Sequence, residues 1–153
     1  ADEKFRWATR KNDRYKEMLD GISPADLLPG SLEFLHALGE RAIKRALGSA
    51  SANAPAILAH LQITDCFEAI VDGTVVTDAK PNPAVFLKGA ELLGLPNHVC
   101  VVYEDAAAGV EAAHAAGMYC VGIGSATNLP EADVVVPSLA YASIEIFTSR
   151  PAK

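Results

Sequence analysis

Cysteine is scarce in this sequence. There are three, Cys66, Cys100 and Cys120, an odd number, widely spaced and each set among apolar neighbours. That excludes a disulfide framework and predicts reduced core thiols, as in a reducing, cytoplasmic compartment. The cysteines are not expected to ligate metal. The four histidines, His36, His60, His98 and His114, include no pair at metal-ligand spacing, and no Ser-His-Asp arrangement presents itself. Basic residues are outnumbered 13 to 19 by acidic ones, for a net charge of −6. This balance argues against a nucleic-acid partner and against docking on anionic membrane. No apolar run approaches the ~20 residues needed to span a bilayer, and no signal-peptide pattern is visible. Internal repeats and low-complexity tracts are absent too.

What the chain does have is apolar residues, half of its 153, enough to bury a core in a single folding unit. Residues 2–20 read as an amphipathic helix, with Phe5, Ala8, Tyr15, Met18 and Leu19 at roughly helical spacing and Gly21 as its stop. Trp7 and Tyr15 are expected to pack inside a helical cap. Residues 22–30, rich in proline and glycine, read as a hinge or linker. Beyond it, helices are expected at about 31–39, 53–61, 83–94, 107–116 and 140–147. They alternate with strands at 42–48, 69–71, 99–103, 119–123 and 133–136. Such alternation predicts an α/β fold, a doubly wound parallel sheet with helices on both faces. Lys44 and Arg45 interrupt the first of these strands and count against its burial.

The stretch Val99-Cys100-Val101-Val102-Tyr103-Glu104-Asp105-Ala106-Ala107-Ala108-Gly109 carries the most chemical information. A continuous β-branched run suits a parallel strand buried on both faces. It delivers two adjacent carboxylates at the carboxyl end, where open α/β sheets bind ligands. Two side-by-side acids repel, and a hard cation such as Mg²⁺ relieves that repulsion. The bland alternative is an acidic helix N-terminus. Another strand runs into Gly48-Ser49-Ala50-Ser51-Ala52-Asn53, where small residues admit a ligand to the backbone and a hydroxyl can donate to a phosphoryl oxygen. Here the alternative is that Ser51 or Asn53 simply caps a helix. A third strand leads to Asp78-Ala79-Lys80-Pro81-Asn82-Pro83. Lys80 is a solvated surface lysine by default, but near a phosphate its charge is worth several kcal/mol at an effective dielectric of about 20.

Together, Ser49, Lys80-Pro81 and Glu104-Asp105 resemble, in order and spacing, the haloacid dehalogenase superfamily of phosphoryl-transfer enzymes. The likeness narrows to the β-phosphoglucomutases. Arg10-Lys11-Asn12-Asp13, Ser23-Pro24-Ala25-Asp26, Pro29-Gly30, Ser49-Ala50-Ser51 and Ala108-Gly109 look like further counterparts in register. The resemblance implies that Ser49 and Lys80 bind the transferring phosphoryl group and that Asp105 and Glu104 hold Mg²⁺. It also implies that Lys11, Ala50, Ser51 and Asn53 hold the sugar phosphate. The reaction implied is interconversion of glucose 1-phosphate and glucose 6-phosphate through an aspartyl-phosphate and glucose 1,6-bisphosphate. A plain sugar-phosphate phosphatase of the same superfamily is the nearest alternative. A non-catalytic, response-regulator-like domain is the alternative of another class.

The sequence departs from the pattern in three places. Ala52 stands where a basic residue is expected, and Ala106 where a small hydroxyl residue is usual. The family's N-terminal Asp-x-Asp-Gly segment, which carries the nucleophile, has no counterpart. Ile70-Val71-Asp72-Gly73-Thr74 mimics it, but isoleucine occupies the place of the attacking aspartate, so Asp72 and Gly73 read as turn formers. The expected organisation is therefore a cap remnant at 1–21, a hinge at 22–30 and an incomplete core at 31–153 whose central first strand is missing. The slot would be filled by an N-terminal segment or by another chain, unless the two flanking strands pair directly. As it stands the chain is expected to be inactive and to bind Mg²⁺ weakly. Asp105 is the stronger ligand candidate, because neighbouring strand side chains point to opposite faces.

Overall fold

The computed structural model describes Leu19 and residues 21–149. The expected helix over 2–20, with Lys11, lies outside the described residues except for Leu19, which is helical and buried. The strands are β1 (Ala46–Gly48), β2 (Ala69–Val71), β3 (Val101–Glu104), β4 (Tyr119–Ile123) and β5 (Val134–Val136). The α-helices are α1 (Ser31–Glu40), α2 (Ala54–His60), α3 (Ala84–Leu93), α4 (Ala107–Ala115) and α5 (Ile146–Ser149). All strand pairs are parallel: β1 pairs with β2, and β3, β4 and β5 follow in that order.

Glycine ends the helices where a left-handed residue is needed. Gly94 (φ 66°) closes α3, and Gly117 (φ 72°) follows the end of α4. Alanine-rich α4 lies close against the sheet, with Ala112 and Ala113 fully buried, beside a core of Val102, Val110, Met118 and Cys120. Each large apolar side chain buried there contributes about 1.5–3 kcal/mol.

Three expectations need correction. The first strand begins at Ala46, not 42, because its cations find partners off the sheet. The Lys44 ammonium donates to the Leu93 carbonyl at the end of α3 (2.7 Å), while Arg45 binds Glu68 (2.5 Å) and the Leu35 carbonyl (2.9 Å). The C-terminal helix is broken into a 3₁₀ turn, Leu139–Tyr141, and α5, because Ala142 is extended between them. Of the three cysteines, none in a disulfide, only Cys120 is fully buried; Cys66 and Cys100 are partly exposed.

Among the described residues β1 has one strand neighbour, β2, and β3 has one, β4. A cavity of about 540 Å³ lies between the two sheets, lined by the consecutive runs 42–48 and 99–104. A strand that showed only one face would contribute every second residue. Uninterrupted lining means that β1 and β3 turn their edges toward the cavity. Val85, Phe86 and Ala90 of α3 cover it on one side and Phe34 of α1 lines it as well.

Candidate active site

The carboxyl ends of the strands converge. Ser49 directly follows β1, and its backbone N–H donates to the Val71 carbonyl at the end of β2 (2.8 Å). Lys80, in the loop that leaves β2, reaches across and forms an ion pair with Glu104, the last residue of β3. This contact places the ends of both sheets on one side of the molecule, the position where open parallel sheets carry their sites.

The Ser49–Asn53 loop is held by its own hydroxyls. Ser49 Oγ accepts from the Ser51 N–H (3.1 Å), and Ser51 Oγ accepts from the Asn53 N–H (3.2 Å). Both hydroxyls therefore serve as acceptors toward the loop and keep a proton to donate outward. Asn53 occupies the N-cap position of α2 without a side-chain capping bond, so it is placed beside the loop rather than consumed by the helix. Ala50 and Ala52 are exposed.

The Asp72-Gly73-Thr74 segment is the turn its composition predicts, and it buttresses this loop. Asp72 Oδ1 accepts from the Thr74 hydroxyl (2.6 Å), the Thr74 N–H (2.8 Å) and the Val75 N–H (3.3 Å). Those bonds, the Thr74 hydroxyl's first, hold the Asp72 carboxyl below its ordinary value. Gly73 presses against the loop so closely that a Cβ there would overlap the Ala50 carbonyl and lie 3.1 Å from the Ala52 nitrogen. The requirement for glycine at this turn is a contact with the site, which sequence reasoning missed.

Glu104 is buried, 8% exposed, and fully engaged. Oε1 faces the Lys80 ammonium, while Oε2 accepts from the Asp105 N–H (3.0 Å) and the Ala106 N–H (3.2 Å). It thus satisfies the backbone N–H of Ala106, the N-cap residue of α4, whose methyl side chain makes no capping bond of its own. Gly109 gives it room: a Cβ there would collide with the Glu104 carboxyl. Asp105, by contrast, is exposed. No three His, Cys, Asp or Glu side chains converge as a metal cage among the described residues. The carboxylates at this strand tip are exposed Asp105 and Glu104, the latter already bonded to an ammonium and two amides; Mg²⁺ takes one or two carboxylates and completes its six oxygens with phosphate and water. Lys80 also lies over the ring of Phe86, 4.7 Å from its centroid.

The family pattern of haloacid dehalogenase-like hydrolases matches residues 2–117. The β-phosphoglucomutase of Bacillus subtilis (strain 168) is 40% identical over 144 residues, covering 94% of this chain and 64% of that protein. Fructose-1-phosphate phosphatase YqaB of Escherichia coli (strain K12) is 38% identical over 117 residues, 76% of this chain and 61% of the enzyme. Among solved structures, β-phosphoglucomutase from Clostridium difficile superposes with a TM-score of 0.90 at 38% identity, covering 97% of this chain and 66% of that one. The chain thus spans about two thirds of the length of these relatives. The match removes the response-regulator-like alternative. By sequence pattern and by fold, the chain belongs to the haloacid dehalogenase-like hydrolase family.

Proposed function

We propose that the protein containing this chain transfers phosphoryl groups on a sugar phosphate, as a β-phosphoglucomutase converting glucose 1-phosphate to glucose 6-phosphate. The observation that carries the reading is the Lys80 bridge from the loop after β2 to the tip of β3, beside the loop bearing Ser49. In this reading the Lys80 ammonium and the Ser49 hydroxyl meet the oxygens of the transferring group and offset the charge that develops there. Ser51 and Asn53, with the Ala50 backbone and Lys11, bind the sugar phosphate. Mg²⁺, when bound, would neutralise phosphoryl charge. Asp105 is its anchor in this chain, and the remaining oxygens come from groups outside the described residues.

The nucleophilic aspartate belongs, in the same proposal, to an extended segment lying in the cavity between β1 and β3. A strand there would be sandwiched by helices and paired on both edges, which calls for an apolar, β-branched sequence ending in the aspartate. The segment is supplied either by residues beyond those described or by a further chain. Without it the chain transfers no phosphoryl group, since losing a nucleophile costs on the order of 10⁶ in rate.

A phosphatase reading has its own support in exposed Ala52, which offers no cation for a second phosphate, and in the similarity to a fructose-1-phosphate phosphatase. The test is to give the complete protein β-glucose 1-phosphate with a trace of glucose 1,6-bisphosphate and Mg²⁺. Glucose 6-phosphate is the expected product. Release of inorganic phosphate without glucose 6-phosphate overturns the mutase and leaves the phosphatase.

A further inference from the structure

We propose that Phe86 is a positioning residue for Lys80, holding the ammonium through its ring face at the place where the proposed reaction needs it. The Lys80 ammonium stands 4.7 Å from the ring centroid, well inside the ~6 Å range over which a ring quadrupole attracts a cation. The same ammonium pairs with the Glu104 carboxylate, so a negative charge and the negative face of a π system both attract it.

The ring is itself held in place. Phe86 lies in the first turn of α3, where its N–H donates to the Pro83 carbonyl (3.0 Å). The Asn82 carboxamide accepts from the Ala84 N–H (2.9 Å) and fixes the start of that helix. The ring packs against the buried core and against Gly48 at the end of β1, where a Cβ would come within 3.5 Å of two ring carbons. Phe86 therefore touches the end of the strand leading to Ser49 and the ammonium of Lys80 together. An aliphatic side chain of similar volume would fill the space and leave the ammonium without a partner on that side.

The role of Phe86 rests on the proposed phosphoryl contact of Lys80, and the experiment separates the two. Phe86 is replaced in the whole chain by a series of progressively fluorinated phenylalanines, which keep the shape while draining the ring face of negative potential. Phe86→Tyr and Phe86→Leu complete the set. Inorganic phosphate affinity is read by calorimetry, and the Lys80 ε-methylene signal, shielded by the ring, is read by NMR. Phosphate affinity is expected to fall stepwise with fluorination, by about three- to thirtyfold in total, the range of a lost cation–π contact. Phe86→Tyr should retain affinity and Phe86→Leu should lose it along with the shielding. An affinity that stays flat across the fluorinated series overturns the proposal, as does a Lys80 signal unshielded in the wild-type chain. If no form binds phosphate while the Lys80 signal shifts stepwise with fluorination, Phe86 does hold the ammonium. The failure then belongs to the phosphoryl assignment of Lys80.

Discussion

Replacing Glu104 by glutamine tests whether the Lys80–Glu104 pair organises the site. The Glu104 side chain is 8% exposed and that of Lys80 21%, so neither charge is well solvated. Breaking a buried pair from one side costs about 3–5 kcal/mol, because the remaining charge stays behind unpaired. The residual exposure of Lys80 puts the expected loss at the lower end, about 3 kcal/mol. Glutamine keeps an oxygen for the Asp105 and Ala106 amides, which isolates the charge from the cap. For a chain of this size that corresponds to a drop in Tm of roughly 6–12 °C. Urea unfolding of the Glu104→Gln, Lys80→Met and doubly substituted chains supplies the coupling. The double variant should cost scarcely more than either single one, giving a coupling of about 2 kcal/mol or more. A Glu104→Gln penalty below about 1 kcal/mol, or a coupling near zero, would refute the reasoning. Lys80 would then be a surface lysine resting on a carboxylate.

Gly73→Ala should push the Ser49–Asn53 loop outward, visible as shifted amide resonances at Ala50, Ser51 and Ala52; an unchanged spectrum would mean that the contact yields. Ala106→Ser should add the missing cap to α4 and stabilise the chain by about 0.5–2 kcal/mol in urea unfolding, since Ala106 already has extended N-cap geometry (φ −121°, ψ 140°). Arg45 holds the Glu68 carboxyl below its ordinary value of 4.5, so the pair's stabilisation is present above that pH and lost as pH falls through and below it. With Glu68 42% exposed the effect is at most about 1 kcal/mol, and Glu68→Gln should flatten that part of the acid-unfolding profile. Calorimetry should find at most weak Mg²⁺ binding by the chain; tight, stoichiometric binding would show that Asp105 and its neighbours suffice.

The helices and parallel strands were legible because the signals that mark them are local. Gly94 and Gly117 stop helices by conformation, and the valine runs at 101–102 and 134–136 alternate with helical patterns. The misreadings occurred where distant partners decide the backbone. Nothing in residues 42–45 announces that Lys44 will find a helix-end carbonyl 49 residues away or that Arg45 will find Glu68, 23 residues on. The break at Ala142 carries no glycine or proline to mark it.

The sequence offered candidate residues for the site but not the bonds they make. Spacing singled out Ser49, Lys80, Glu104 and Asp105, read the two acids as a pair facing a cation, and ranked Asp105 above Glu104 because strand neighbours point to opposite faces. The structure makes them unlike. Glu104 turns inward and spends its oxygens on an ammonium and two amides, while Asp105 remains in solvent. Of the two neighbours, Glu104 is engaged by Lys80 and by the amides that lead into α4, and Asp105 is the one left exposed. The glycines explain why sequence alone could not foresee this. Gly109 and Gly73 are needed for what lies against them, Glu104 and the Ala50 carbonyl, and not for a left-handed backbone. A glycine that makes room for a partner looks, in a sequence, the same as one that makes a turn.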